Sequence, residues 1–232
     1  MSSPRFDGVL FDMDGLLLDS ERIYLSIFRI ALVDLELEWD EALYLSMIGR
    51  NGIESAKLLI NHYGPTYDHD RMRARLDHHW KLHVAKESVP LMPGVIELLD
   101  LLDELRIPCA VATSTARGRA EAKLTDAGIR HRFQGLIGGD DVSNGKPHPE
   151  PYLKAAALLG LDASRCLALE DSANGIRSAH GAGAAAVMVP DLLQPTSEIE
   201  AIAHRIAPSL LDVRDWLAST HHLPLTAMVD SR

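Results

Sequence analysis

The sequence predicts an α/β fold: a doubly wound parallel sheet with an α-helical domain inserted after its first strand. Two observations predict it. Short apolar runs of strand type alternate with helical patterns over most of the chain, and one long stretch near the N-terminus is helical throughout. A third observation points to where the chemistry lies, because several of the strand-like runs end in acidic, hydroxyl or basic residues.

The first run, Gly8-Val9-Leu10-Phe11, is short and apolar with β-branched and aromatic members, as a buried parallel strand requires. From about Ser20 to Ser88 the pattern turns purely helical: Glu21 to Val33, Glu41 to Met47, Ile53 to His62 and Asp68 to Lys86. That is too much chain for one crossover, so a separate helical domain at 20–88 is expected, entered and left near Leu18 and Val89-Pro90. The core domain then comprises 1–19 and 89–232. Four further strands are expected at Ile107 to Thr113, Phe133 to Ile137, Cys166 to Leu169 and Ala185 to Val189. Helices are expected at Val95 to Leu105, Ala116 to Ala127, Pro149 to Leu159 and Asn174 to Ala182. The alternation implies right-handed crossovers and a ligand crevice at the carboxyl ends of the strands. The end, His221 to Arg232, has no periodicity and is expected to fray.

The 232 residues are 47% hydrophobic and 24% charged, a globular composition. With 33 Asp and Glu against 23 Lys and Arg, the formal charge of −10 repels nucleic acid and anionic lipid surfaces, so neither partner is expected. No apolar window reaches membrane-spanning length, and no export leader is read at the start. Cys109 and Cys166 lie in strand-like runs and read as buried free thiols, which suits a reducing cytoplasm. Oligomeric state is open between a monomer and an assembly.

Asp12 and Asp14 stand two apart at the end of the first strand, so they share a side while Met13 points away, and Gly15 permits a sharp turn. Two carboxylates there can hold a hard cation and supply a nucleophile and an acid/base group, or simply form an acidic turn. A calcium loop does not fit, because Leu16 and Leu17 stand where it needs Asp or Asn and Gly. Later strands end in Thr113-Ser114, Lys146-Pro147 and Glu170-Asp171-Ser172. Each group alone also reads as a helix cap, a solvated charge or an acidic helix start. Together they bring a hydroxyl, a cation and a second acidic pair to the crevice where the first pair sits.

With these residues in place, the chain resembles the haloacid dehalogenase superfamily, in particular its phosphatase and mutase branch related to β-phosphoglucomutase. Phe11-Asp12-Met13-Asp14-Gly15-Leu16-Leu17-Leu18-Asp19-Ser20 resembles the first family motif and Thr113 the second. Lys146 with Pro147 resembles the third, and Glu170-Asp171-Ser172 with Asn174-Gly175 the fourth. The helical insertion resembles the branch's cap domain. The resemblance implies Asp12 as a nucleophile forming an aspartyl-phosphate, and Asp14 as the acid and then the base. It implies Mg²⁺ held by Asp12, Asp14 (through its backbone carbonyl) and Asp171, with Glu170 supporting directly or through water. Thr113, Ser114 and Lys146 would bind the phosphoryl oxygens. The implied partner is a small phosphate ester, with Tyr24, Phe28, Arg50 and Asn51 as candidate selectors; for Arg50 a surface position remains equally open.

Other motifs are weaker. Gly181-Ala182-Gly183-Ala184-Ala185-Ala186 imitates a dinucleotide fingerprint but runs helix to strand, the wrong way round. Gly145-Lys146 is no P-loop, because Pro147 follows and no glycine stands five residues before Gly145. His79 and His83 sit one helical turn apart without a metalloprotease glutamate, and His148, between two prolines, is given no role. A phosphorylation-controlled receiver shares the acidic pocket and the Lys-Pro, but there the Lys-Pro comes last. Here it precedes the second acidic pair. Between phosphatase and mutase, Tyr24 stands where the sugar-phosphate mutase carries a hinge histidine, and Gly49-Arg50-Asn51 differs in spacing from the mutase's cap loop. Both departures favour hydrolysis, with a sugar phosphate as the leading substrate and a mutase as the alternative.

Overall fold

The computed structural model describes residues 6–50 and 52–220. The expected final segment, 221–232, and Asn51 lie outside the described residues. Strand β1 (Gly8–Phe11) is followed by four helices, α1 (Ser20–Asp34), α2 (Glu41–Met47), α3 (Gly52–Tyr63) and α4 (His69–Val84). Strands and helices then alternate: α5 (Val95–Glu104), β2 (Cys109–Ala112), α6 (Arg117–Asp126), β3 (Gly135–Ile137), α7 (Glu150–Leu158), β4 (Cys166–Glu170), α8 (Ala173–Gly181) and β5 (Ala185–Met188). The chain closes with α9 (Ser197–Ile202), β6 (Arg205–Ile206) and α10 (Leu210–Thr220).

The six strands pair in parallel in the order β3-β2-β1-β4-β5-β6. Side chains alternate across the sheet as the period of two demands. Val9, Phe11, Val111, Leu136, Leu167 and Leu169 pack on one face with α5 and α10, while Leu10, Ala110, Ala168 and Met188 pack on the other with α7 and α8. Alanines dominate the second face, which lets α7 approach closely through its own Ala155 and Ala156.

Strand β6 and helices α9 and α10 go beyond the five strands and the helices read from the sequence. Arg205 and Ile206 form a two-residue edge strand, too short and too little buried to leave an apolar run. The expected strand at Ile107 to Thr113 is trimmed to Cys109–Ala112, since Pro108 has no N–H to donate and Thr113 already turns toward the crevice.

Helices α1 to α4 bury a cluster of their own, including Ile27, Phe28, Leu32, Tyr44, Leu59 and Met72. Asp40 and Asp68 cap α2 and α4 by accepting from Leu43 N and Arg71 N at 3.0 and 2.9 Å. Two chain segments join this block to the sheet. They run side by side, with Asp19 N donating to Pro90 O at 2.9 Å and Met92 N to Leu17 O at 3.0 Å. No helix among the described residues is long and apolar enough to cross a membrane.

From β1 the chain steps outward to β2 and β3, and α7 then returns it to β4 on the other side of β1. The crossovers diverge between β1 and β4, and a crevice opens at the carboxyl ends of those two strands.

Candidate active site

Asp12 leaves the end of β1 and Asp171 follows β4, so the register that pairs Phe11 with Leu169 brings both carboxylates to the mouth of the crevice. Gly15, at φ +81°, makes the turn after them; a Cβ there would lie 2.5 Å from Asp171 Oδ2, which explains why glycine is needed. Lys146 reaches in from the loop before α7, 3% exposed, and donates to Asp12 Oδ1 at 2.7 Å and to Glu170 Oε1 at 2.5 Å. Glu170 also accepts from Tyr152 Oη at 2.7 Å and from Ser172 N and Oγ at 3.3 and 3.1 Å. Gly175 leaves it room, because a Cβ at that position would fall inside the Glu170 carboxyl group.

Asp14 turns away from this cluster. Its Oδ1 accepts from Ser20 Oγ at 2.5 Å and Lys123 Nζ at 2.6 Å, and its Oδ2 from Thr115 Oγ1 at 2.6 Å. The two aspartates thus have separate cations, Lys146 for Asp12 and Lys123 for Asp14.

The electrostatics follow from this division. Burial raises the Asp12 carboxyl, Lys146 pulls it back and Glu170 raises it again, leaving it at about 7. Asp171 is pushed well above the ordinary carboxylate range by burial and by its neighbours Asp12 and Glu170. Burial acts against the Lys146 ammonium, but Asp12 and Glu170 outweigh it and hold the proton firmly. For Asp14, burial is outweighed by the charge and hydrogen bond of Lys123 with the bonds from Ser20 and Thr115, so it lies below its ordinary value and is a carboxylate. Glu21, beside it at the start of α1, is lifted to about 8 by burial and by Asp14.

Oxygens of Asp12, Glu170 and Asp171 all lie within 4.8 Å of one another. Three buried carboxylates here face a single ammonium, and a hard divalent cation is the group that would relieve the excess. The donor set, oxygen throughout, fits Mg²⁺.

The remaining predicted residues divide. Thr113, 3% exposed, sits at the crevice and its Oγ1 accepts from Thr115 N at 3.1 Å. Ser114 spends its hydroxyl on Gly49 O of the helical block at 3.2 Å. Tyr24 and Arg50 line a cavity of about 740 Å³ between the block and the sheet, and Asp12, Asp14, Thr113 and Asp171 form its floor. Arg50 donates through Nε to Ser46 O at 2.8 Å. His79 bonds Asp34 at 2.7 Å and is no metal partner of His83, and His148 accepts from Glu150 N at 3.2 Å in a structural turn. Gly181 ends α8, and Gly183, at φ +85°, leads into β5. The sequence reading missed Tyr152, Thr115 and Lys123. Thr115 carried a signal, since it repeats Thr113 at the spacing of two; Tyr152 and Lys123 sit on helices whose periodicity marks them only as ordinary members.

The pattern of haloacid dehalogenase-like hydrolases matches residues 9–189, which spans both aspartates, Lys146, Glu170 and Asp171. The chain belongs to the haloacid dehalogenase-like hydrolases. As a member of that family it is a hydrolase of the phosphoric-monoester type. A (DL)-glycerol-3-phosphatase of Arabidopsis thaliana is 32% identical over 220 residues, covering 90% of each chain. The fructose-1-phosphate phosphatase of Escherichia coli is 31% identical, covering 80% of this chain and 97% of its own. The chain spans only 58% of another relative, the bifunctional riboflavin kinase/FMN phosphatase of Arabidopsis thaliana, at 29% identity. Among solved structures, CbbY of Rhodobacter sphaeroides in complex with phosphate superposes with a TM-score of 0.77 at 27% identity, covering 90% of this chain and 96% of that one.

Proposed function

We propose that this haloacid dehalogenase-like hydrolase is a Mg²⁺-dependent phosphatase of a small sugar or polyol phosphate, acting through an aspartyl-phosphate on Asp12. The observation that carries the reading is the division of the two aspartates. Asp12 lies with Lys146 and the acidic cluster, whereas Asp14 is held two residues away by its own donors. A nucleophile and an acid/base group need such different surroundings.

In this reading Asp12 attacks phosphorus while Asp14, protonated when substrate is bound, gives its proton to the leaving oxygen. Lys146 and Thr113 neutralise and hold the phosphoryl oxygens, together with backbone amides near Gly15 and Ser114. Asp12, Asp171 and the Asp14 backbone carbonyl would hold Mg²⁺, with Glu170 anchoring Lys146 beside it. The cation, when bound, supplies charge neutralisation at the phosphoryl group. Residues 20–88 would act as the cap, excluding bulk water over the cavity, where Tyr24 and Arg50 select the leaving group. The cytoplasm is the proposed location, in keeping with two buried free thiols.

The relatives named for glycerol-3-phosphate and fructose-1-phosphate support a polyol or sugar leaving group. Release of inorganic phosphate from a panel of such esters, with and without Mg²⁺, tests the reading. Mg²⁺-dependent release lost in Asp12→Asn is the expected result. An isomerised sugar phosphate with little free phosphate, followed by NMR, would replace it with the mutase.

A further inference from the structure

Glu21 takes no part in the chemistry proposed above, yet its side chain stands at the edge of the cavity floor. It lies in the first turn of α1, where Ser20 beside it is tied to Asp14 by the 2.5 Å bond. A Cβ placed on Gly15 would lie 3.3 Å from Glu21 Cγ and 2.5 Å from Asp171 Oδ2, so the Glu21 stem rises next to the oxygen cluster. An acidic residue in a first turn is favoured by the helix dipole and can serve that purpose from the solvent side. Glu21 instead lines the cavity, half-buried, and Tyr24, one turn on, lines it from the same face of α1.

The neighbouring cations leave Glu21 out. Lys146 goes to Asp12 and Glu170, Lys123 to Asp14, and Arg22 to Asp19 and Asp191. Among the described residues no donor meets the Glu21 carboxyl. When a leaving group fills the cavity and displaces its water, that carboxyl needs a donor from the ligand itself. We propose that Glu21 is a specificity-determining residue: it accepts a hydrogen bond from a leaving-group hydroxyl on the carbon next to the ester carbon. The proposal rests on the phosphatase reading and deepens it. A carboxyl accepts through at least one oxygen in either protonation form, so the role does not depend on its charge. Its place sets which hydroxyl it meets. Glu21 adjoins Gly15 and Asp171 at the floor, where a phosphoryl group against Asp12 has its ester bond, so the hydroxyl is one close to that bond. An ester without it leaves the carboxyl covered and unpaired, which lowers kcat/KM by about 10- to 100-fold.

The test compares the best ester of the panel with its analogue lacking that one hydroxyl, which for glycerol 3-phosphate is the 3-hydroxypropyl ester, with Mg²⁺ present. Steady-state rates are measured for the parent, Glu21→Gln, Glu21→Leu and Glu21→Ala. The parent should prefer the hydroxylated ester by about 10- to 100-fold in kcat/KM. In Glu21→Leu and Glu21→Ala the preference should shrink to within about threefold, and turnover of the analogue itself reports that each variant is folded. Glu21→Gln has the same size and keeps an acceptor oxygen, so it should retain most of the preference. An unchanged preference in Glu21→Leu and Glu21→Ala, or equal proportional losses on both esters, would overturn the proposal alone. So would a higher Mg²⁺ requirement in Glu21→Gln, which would assign Glu21 to the cation. A parent that releases phosphate from no ester would overturn the phosphatase reading and the proposal with it.

Discussion

Tyr152 offers the sharpest test of how the site is held. Its ring is fully buried and its hydroxyl donates to Glu170 Oε1 at 2.7 Å, one of four donors on a carboxylate that is 0% exposed. Tyr152→Phe removes that donor and keeps the ring, so neither cavity nor overpacking confuses the result. A hydrogen bond to a charged group contributes about 1.5–3 kcal/mol, and its loss inside the protein cannot be made good by water. For a chain of this size each kcal/mol moves Tm by about 2–4 °C, so a fall of about 3–12 °C is expected by calorimetry, with a lower urea midpoint. Lys146 keeps its bond to Asp12 in the variant, so kcat should fall by less than about tenfold, equivalent to about 1.4 kcal/mol in the barrier. An unchanged Tm with kcat lower by about 10³ would refute the reasoning, since Tyr152 would then act on the reaction and not on the scaffold.

Gly175→Ala should cost about 1–3 kcal/mol of stability, seen as a lower urea midpoint, and depress activity, because the added methyl collides with Glu170, which anchors Lys146. Gly118→Ala, on α6 with nothing within 4 Å of its Cβ position, should leave stability unchanged or raise it by about 0.5–1 kcal/mol. Glu150 carries a carboxyl held down to about 2 by Lys154 and by the backbone N–H groups of Ser143 and Asn144, in the loop that leads to Lys146. A folded value below the unfolded one means that its contribution is complete above about 4.5 and is lost as pH falls toward about 2. The urea midpoint of Glu150→Gln should therefore fall less steeply than the parent's across that window, and parallel curves would exclude the effect. Burial lifts the thiols of Cys109 and Cys166 to about 12 and about 11, so a disulfide reagent at neutral pH should label them only at the rate of unfolding.

The parts of the site legible in the sequence are those that sit at strand ends. Asp12, Asp14, Glu170 and Asp171 follow directly from apolar runs, and a parallel sheet with a switch point must gather such ends into one crevice. Tyr152, Lys123 and Trp80 were not legible for the opposite reason. Each reaches the site from a helix flank, where one aromatic or charged residue in a 3.6-residue period looks like any other; only the packing of α7 on the sheet and of α6 on α4 gives it a partner. Strand β6 escaped because two edge residues bury too little to leave a pattern. The same distinction separates chemistry from its control. Strand ends fix where the clustered carboxylates stand, since the backbone there is tied into six paired strands. Helix flanks decide how long each charge stays aimed, because a side chain at the end of a stem is only as steady as what covers it. Lys146 is covered from within the core by Tyr152, at 5.2 Å from the ring, whereas Lys123 is covered by Trp80 from the helical block. In the reading proposed above, Asp12 as nucleophile would have its counter-charge fixed by the core and Asp14 as acid/base group would have one covered from the block, so the two could respond separately to the block's position.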